Sequence, residues 1–309
     1  MAKPSQPNVT NLTFEAIGTV WNIEIFDIIT EQKTHEIQTA IEHRIATFDK
    51  HYSRFRTDSL IAEMAKKAGV YTLPADAKPM LDLYQSLYTV TKGAVTPLIG
   101  SALSEAGYDA NYSLKPGVVH IPEAWSNIAD YDFPILRLSK PALLDFGAAG
   151  KGYLVDIISD ILTAKNIGRF CVNAGGDMVY RTSDNQKLDV GLEHPSDPTL
   201  AIGIAHIANQ SLCGSSGNRR AWGEDGSNSG KKMYHHILSP HTLSSPQHIQ
   251  ALWVIADTGL LADGLATALF FTDAATLQKH YTFEYAIVRQ DFSLERSPDF
   301  TATFFNDDN

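Results

Sequence analysis

The sequence predicts an α+β fold: a single large domain in which helices pack on a mixed, largely antiparallel sheet. Two observations predict it. Helical periodicity dominates the first third of the chain, and strand-like runs dominate the last half. The two kinds of segment also do not alternate regularly, as a doubly wound parallel sheet would require. Length sets the outer bounds: 309 residues, 44% hydrophobic and 19% charged, allow one large domain or two small ones with ample core.

The first residues, Met1 to Asn11, are polar and carry Pro4 and Pro7, so residues 1–12 read as a flexible tail. Phe14 to Phe26 reads as a strand, because Trp21, Ile23 and Ile25 alternate with Asn22 and Glu24. Thr34 to Phe48 reads as a helix with Ile37, Ile41, Ile45 and Phe48 on one face. Asp76 to Lys92 is a second helix, stopped at Gly93. Residues 101–140 look irregular, with short strand candidates near Val118 and Leu136.

Helical spacing returns over Gly152 to Asn166, where Leu154, Ile157, Ile158, Ile161 and Leu162 form a stripe. Phe170–Val172 and Met178–Tyr180 read as strands joined by the turn Ala174-Gly175-Gly176-Asp177. Further strands are expected at 188–193, 201–207, 211–215, 233–238 and 250–256. The last helix is expected near Leu260 and a late strand at Phe283 to Val288. Ser216 to Gly230, rich in Gly, Ser and Asn, reads as a surface loop. The domain is thus expected over 13–290, with 291–309 a tail able to add an edge strand.

Composition excludes several classes. A net charge of −10 argues against a duplex-binding surface, which needs clustered Lys and Arg. No apolar run approaches the ~20 residues needed to span a bilayer. Neither a signal peptide nor a lipid-attachment cysteine is evident, which favours the cytoplasm, or the periplasm if a leader has been removed. Cys171 and Cys213 sit in apolar strand-like context and read as buried free thiols.

Two segments carry candidate chemistry. In Asp263-Gly264-Leu265-Ala266-Thr267 a carboxylate and a hydroxyl lie four residues apart, on one face of what looks like an opening helix. Their oxygens suit a hard cation such as Mg²⁺. The structural alternative is that Asp263 is an N-cap and Thr267 a packing residue. Asp145-Phe146-Gly147-Ala148-Ala149-Gly150-Lys151-Gly152-Tyr153 offers flexible backbone, a carboxylate and a lysine. It is not a P-loop, because Gly rather than Ser or Thr follows the lysine. It is not a dinucleotide fingerprint either. Together the segments suggest a metal-assisted site for a phosphorylated ligand.

Eight polar motifs follow one another: Ile17-Gly18-Thr19; Ser53-Arg54-Phe55-Arg56-Thr57-Asp58-Ser59; Gly93-Ala94-Val95-Thr96-Pro97; Asp145 to Asp156; Asn173-Ala174-Gly175-Gly176-Asp177; Ser216-Gly217-Asn218-Arg219-Arg220; His235-His236-Ile237-Leu238-Ser239-Pro240; and Asp263 to Phe270. Their order and spacing, from about residue 14 to 290, resemble the ApbE family of FAD:protein FMN transferases. The resemblance implies an enzyme that uses Mg²⁺ and FAD as substrate. It would move the FMN half onto a Thr or Ser hydroxyl of an acceptor protein and release AMP. Some relatives hydrolyse FAD to FMN and AMP instead, and a non-catalytic FAD-binding protein is the third reading.

Residue by residue, the resemblance makes Asp263, Thr267 and the backbone carbonyl of Ala148 the metal ligands. It makes Asp145 and Lys151 FAD contacts, with Ile17, Ala94, Val95 and Thr96 lining the flavin, and His236 both a flavin neighbour and the base that takes the acceptor's proton. A histidine with an ordinary pKa of ~6.5 suits that task at neutral pH. His235 is expected on the opposite face of the same strand. Asn173 and Gly175–Asp177 read as a tight turn, and Arg219 and Arg220 as surface-loop residues or phosphate and adenine contacts. The chain departs from the family pattern at Ser239, where Asp is usual, at Leu243, where Gly is usual, and at Val95-Thr96, where Phe-Asp is usual. Those departures bear on the transfer step more than on FAD binding.

Overall fold

A computed structural model describes residues 9–217, 221–223 and 233–305. An eight-stranded sheet forms the centre. Its order is Thr10–Ala16, Thr19–Ile25, Phe170–Ala174, Asp177–Arg181, Ser211–Ser216, Ile249–Ala256, Glu284–Arg289 and Leu294–Arg296, and every pairing is antiparallel. This is the expected α+β architecture.

Both faces of the sheet are covered. Val172, Val179, Cys213, Leu252 and Val254 face the helical layer. Cys171, Tyr180, Leu212, Trp253 and Ala286 face a three-stranded sheet of order Ala302–Phe304, Asp197–Ile207, Leu188–His194. The strand Ile249–Ala256 is therefore buried along nearly its whole length, and after Gln250 it is an unbroken apolar run, Ala251–Ala256. Each large apolar side chain fully buried there contributes about 1.5–3 kcal/mol.

The helical layer follows from spacing and caps. The helix Glu31–Tyr52 starts where Thr30 accepts from the Lys33 amide at 3.2 Å, and it buries Ile37, Ile41, Ile45, Phe48 and Tyr52. It is longer than the apolar stripe suggested: its first turn is polar, and Tyr52 extends the buried face one turn past Phe48. The helices Ala77–Val90 and Gly150–Ala164 match the expected ones closely. Gly259–Ala268 is capped twice. Thr258 accepts from the Leu261 amide at 3.2 Å, and the Asp156 carboxylate takes the Gly259 and Leu260 amides at 2.7 and 2.8 Å.

Four sequence expectations are corrected. The single strand expected from Phe14 to Phe26 is a hairpin, with strand structure already at Thr10 and a turn at Ile17-Gly18. Asp263 is not at a helix opening: Thr258 is the N-cap and Asp263 lies a turn inside. The strand expected over 233–238 shrinks to Tyr234–His235, because the chain bends at His236. Val118 is 77% exposed and in no strand. Residues 97–140 also hold short helices, Gly100–Glu105 among them, and two strands of a small sheet with Gly69–Thr72. Among the described residues, no helix is long and apolar enough to cross a membrane.

Candidate active site

A cavity of about 470 Å³ opens beside the helical layer. Seven separated stretches of chain line it, around residues 17–18, 48–56, 94–99, 103–112, 145–151, 236–238 and 267–271. Nine of the ten expected site residues are on its wall: Ile17, Ala94, Val95, Thr96, Asp145, Ala148, Lys151, His236 and Thr267. The tenth, Asp263, is 5% exposed and buried among their supports. Ile17 and Gly18 form the two-residue hairpin loop at the rim, with φ of 44° and 73°. Positive φ at a β-branched residue is strained backbone, held here by the paired strands on either side.

The helix Gly150–Ala164 begins at the cavity wall and packs against Gly259–Ala268 through glycine. A Cβ added to Gly152 would lie 2.1 Å from the Gly259 carbonyl oxygen and 2.6 Å from the Asp263 Cβ. That close approach lets the Gly152 amide donate to Asp263 Oδ2 at 2.9 Å. One helical turn on from Asp263, the Thr267 hydroxyl points at the Ala148 carbonyl oxygen, 3.4 Å away. Ala148 is held in turn by its amide, which donates to the Tyr84 hydroxyl at 3.1 Å. Tyr84 is buried, and its hydroxyl pKa is pushed well up by burial and then by the Asp145 charge.

Lys151 lies in the first turn of its helix and reaches across to the main sheet. Its ammonium donates to the Ala174 carbonyl at 3.2 Å and pairs with Asp177. Burial opposes its charge, but the Asp177 and Asp263 carboxylates outweigh that and hold its pKa above the ordinary lysine value. The Asp263 pKa is raised as well, which for a carboxyl disfavours the charged form: burial and then the Asp177 charge push it well up, with Lys151 only partly offsetting them. Two buried carboxylates thus share one lysine.

The turn read at Asn173–Asp177 is present: the Gly176 amide donates to Asn173 Oδ1 at 2.9 Å, and Gly175 and Gly176 have φ of 61° and 102°. Sequence reasoning nevertheless missed Asp177 as the partner of Lys151. The signal available was an aspartate opening the apolar strand Asp177–Arg181, where a charge needs a partner. Arg54 was missed too. It is buried, pairs with Asp145 and donates to Ser104 Oγ at 3.3 Å. Tyr84 gave no signal beyond its helical spacing, and Asp156, although it closes one of the eight motifs, gave none that pointed to the Gly259 and Leu260 amides.

The two histidines divide. His235 is buried; its Nδ1 accepts from the Ile237 amide at 3.2 Å, so its Nε2 donates to the Pro246 carbonyl at 2.8 Å. Burial lowers its pKa, which suits a neutral structural ring. His236 is half-buried and on the cavity wall. Ser239, standing where Asp is usual, accepts from the His241 and Thr242 amides at 3.3 Å each, so the turn after the histidines is kept without a charge. Thr96 caps the short helix Pro97–Ile99, accepting from the Leu98 amide at 3.2 Å. Arg219 and Arg220 lie outside the described residues.

The model of the ApbE family matches residues 17–285. The chain belongs to the ApbE family. Among ApbE relatives, it is 25% identical to an FAD:protein FMN transferase of Haemophilus influenzae over 93% of this chain and 88% of that one. It is 23% identical to one of Klebsiella pneumoniae over 86% and 80%. The fold superposes on the ApbE protein of Thermotoga maritima with a TM-score of 0.80 at 20% identity, covering 95% of this chain and 98% of that one. Flavinyl transferase ApbE of Pseudomonas stutzeri, in its apo form, gives 0.80 at 19% identity, covering 96% and 97%.

Among the described residues, no group of three or more His, Cys, Asp or Glu side chains could hold a metal. The donors expected from the sequence, Asp263, Thr267 and the Ala148 carbonyl, differ in kind: one carboxylate, one hydroxyl and one carbonyl, all oxygen. That chemistry fits a hard cation, and a buried carboxylate short of positive charge is where one would be stabilised.

Proposed function

We propose that the protein is an FAD:protein FMN transferase. It moves the FMN moiety of FAD to a Thr or Ser hydroxyl of an acceptor protein and releases AMP. The observation that carries this reading is the meeting of Lys151, the Ala148 carbonyl and the Thr267 hydroxyl on one cavity wall, backed by buried Asp263. The N-terminal amides of the helix Gly150–Ala164 add partial positive charge at the same place, which favours a phosphate group. Family membership and the names of the relatives support the same chemistry.

Mg²⁺ held by Ala148, Asp263 and Thr267 would neutralise charge on the diphosphate oxygens. Lys151, kept cationic by Asp177, supplies a fixed charge against the diphosphate. An imidazole nitrogen of His236 takes the proton of the acceptor hydroxyl. The hydroxyl oxygen forms a bond to the flavin-side phosphorus. The bond from that phosphorus to the bridging oxygen breaks, and AMP departs with the bridging oxygen. Ile17, Ala94, Val95 and Thr96 form the wall against which the ring system packs.

The test is intact mass spectrometry of a candidate acceptor after incubation with the protein, FAD and Mg²⁺. Covalent FMN on the acceptor with free AMP is the expected result. Free FMN and AMP without adduct would show FAD hydrolysis, and unchanged bound FAD would show a binding protein.

A further inference from the structure

Arg54 is a buried cation on the wall of the same cavity, its side chain only 2% exposed. Its Nε pairs with Asp145, and its Nη1 donates to Ser104. Its Nη2 is buried without a hydrogen-bond partner among the described residues. The guanidinium lies against two rings, 4.2 Å from the centroid of Phe55 and 4.9 Å from that of Tyr108. Asp145 is fixed from its other oxygen, which accepts from the Gly147 amide at 2.7 Å.

A buried ion pair is a poor stabiliser, since an apolar pair of similar volume usually does as well or better. One with a guanidinium nitrogen left unsatisfied is worse still. The placement makes better sense as recognition. The Arg54 Nε is committed to Asp145 and its Nη1 to Ser104, and its Nη2 is buried, which leaves the guanidinium poorly placed for a phosphate. Phe55, Tyr108 and Tyr112 give this part of the cavity wall aromatic faces. A neutral polar pair among aromatic rings suits an uncharged heteroaromatic ring with a polar edge.

We infer that Arg54 is a positioning residue that clamps Asp145, so that its carboxylate accepts from an N–H on the edge of a planar ligand ring. This rests on the flavin dinucleotide reading above. FAD offers two such edges, the imide N–H of the flavin and the amino group of adenine, and the shared chemistry is a ring donor beside a ring acceptor.

FMN and AMP each carry one ring system and one phosphate, so their comparison cancels the phosphate contact. Dissociation constants for FAD, FMN and AMP are measured on the full chain and on Arg54→Gln, Asp145→Asn and the double variant, with Arg54→Lys as the charge-retaining control for folding. Each single variant should weaken one of FMN or AMP about tenfold more than the other, and the double variant should be no worse than the weaker single one. Arg54→Lys should melt as the parent does and lose part of the same selectivity. Equal losses on both nucleotides, no loss on either, or additive losses in the double variant overturn the inference while FAD still binds the parent. A parent chain that binds no FAD overturns the transferase reading and this inference together.

Discussion

The amide of Gly152 donates to Oδ2 of Asp263 at 2.9 Å, across 111 positions of sequence. This bond fixes the carboxylate to the start of the lysine-bearing helix, and it exists only because two glycines let the helix backbones touch.

Gly152→Ala should therefore damage both structure and site. Its Cβ would meet main-chain carbonyl rather than a flexible side chain. Overpacking of that kind costs about 1–3 kcal/mol. We expect a melting temperature several degrees lower and FAD binding at least about tenfold weaker, read by thermal denaturation and fluorescence titration.

Asp263→Asn separates stability from activity. In the cation-free protein, burial raises the Asp263 pKa above its unfolded value. The folded state then binds the extra proton, so this group's contribution falls as pH rises through and above the ordinary carboxylate range. The amide variant keeps an acceptor for Gly152 without that charge. At pH 7 in chelator it should melt at or above the parent temperature, and its Mg²⁺-dependent transfer should drop by about 10²-fold or more. Full transfer activity would remove Asp263 from the ligand set.

His235→Ala and His236→Ala should fail differently. The first loses two hydrogen bonds and a buried ring, and should lower stability by about 2–4 kcal/mol. The second should melt within about a degree of the parent, bind FAD and lose transfer. Unchanged transfer in His236→Ala would exclude it as the base.

Asp156 gives a pH signature. Burial raises its pKa to about 6 against the pull of its two amide bonds. The folded state therefore binds more protons than the unfolded one between about pH 4 and 6, and this group's stabilisation declines across that window. Asp156→Asn removes the titration but also one carboxylate acceptor. The melting temperature of the parent minus that of the variant should fall by a few degrees from pH 4 to pH 6. A constant difference would show that Asp156 is not shifted.

Much of this was legible in the sequence, because apolar periodicity reports burial. The stripe Ile37, Ile41, Ile45 and the run Ala251–Ile255 announced a helix and a strand; that the strand is covered on both faces came only with the structure. The cavity-lining residues were legible as motifs, and nine of the ten candidates lie on one wall. What stayed hidden depends on distant partners. Asp177 looks like turn punctuation until Lys151 lies beside it, and Arg54 looks like a surface arginine until Asp145 and two rings enclose it. The Ile17-Gly18 turn was invisible because neither the isoleucine nor the flanking alternation signals a reversal.

The span between Gly152 and Asp263 also orders events in time. Translation delivers the lysine-bearing helix well before the segment with the buried carboxylate. An unfinished chain therefore carries Lys151 and Ala148 without the groups that complete their surroundings. Productive flavin capture begins only after the C-terminal third has emerged and docked.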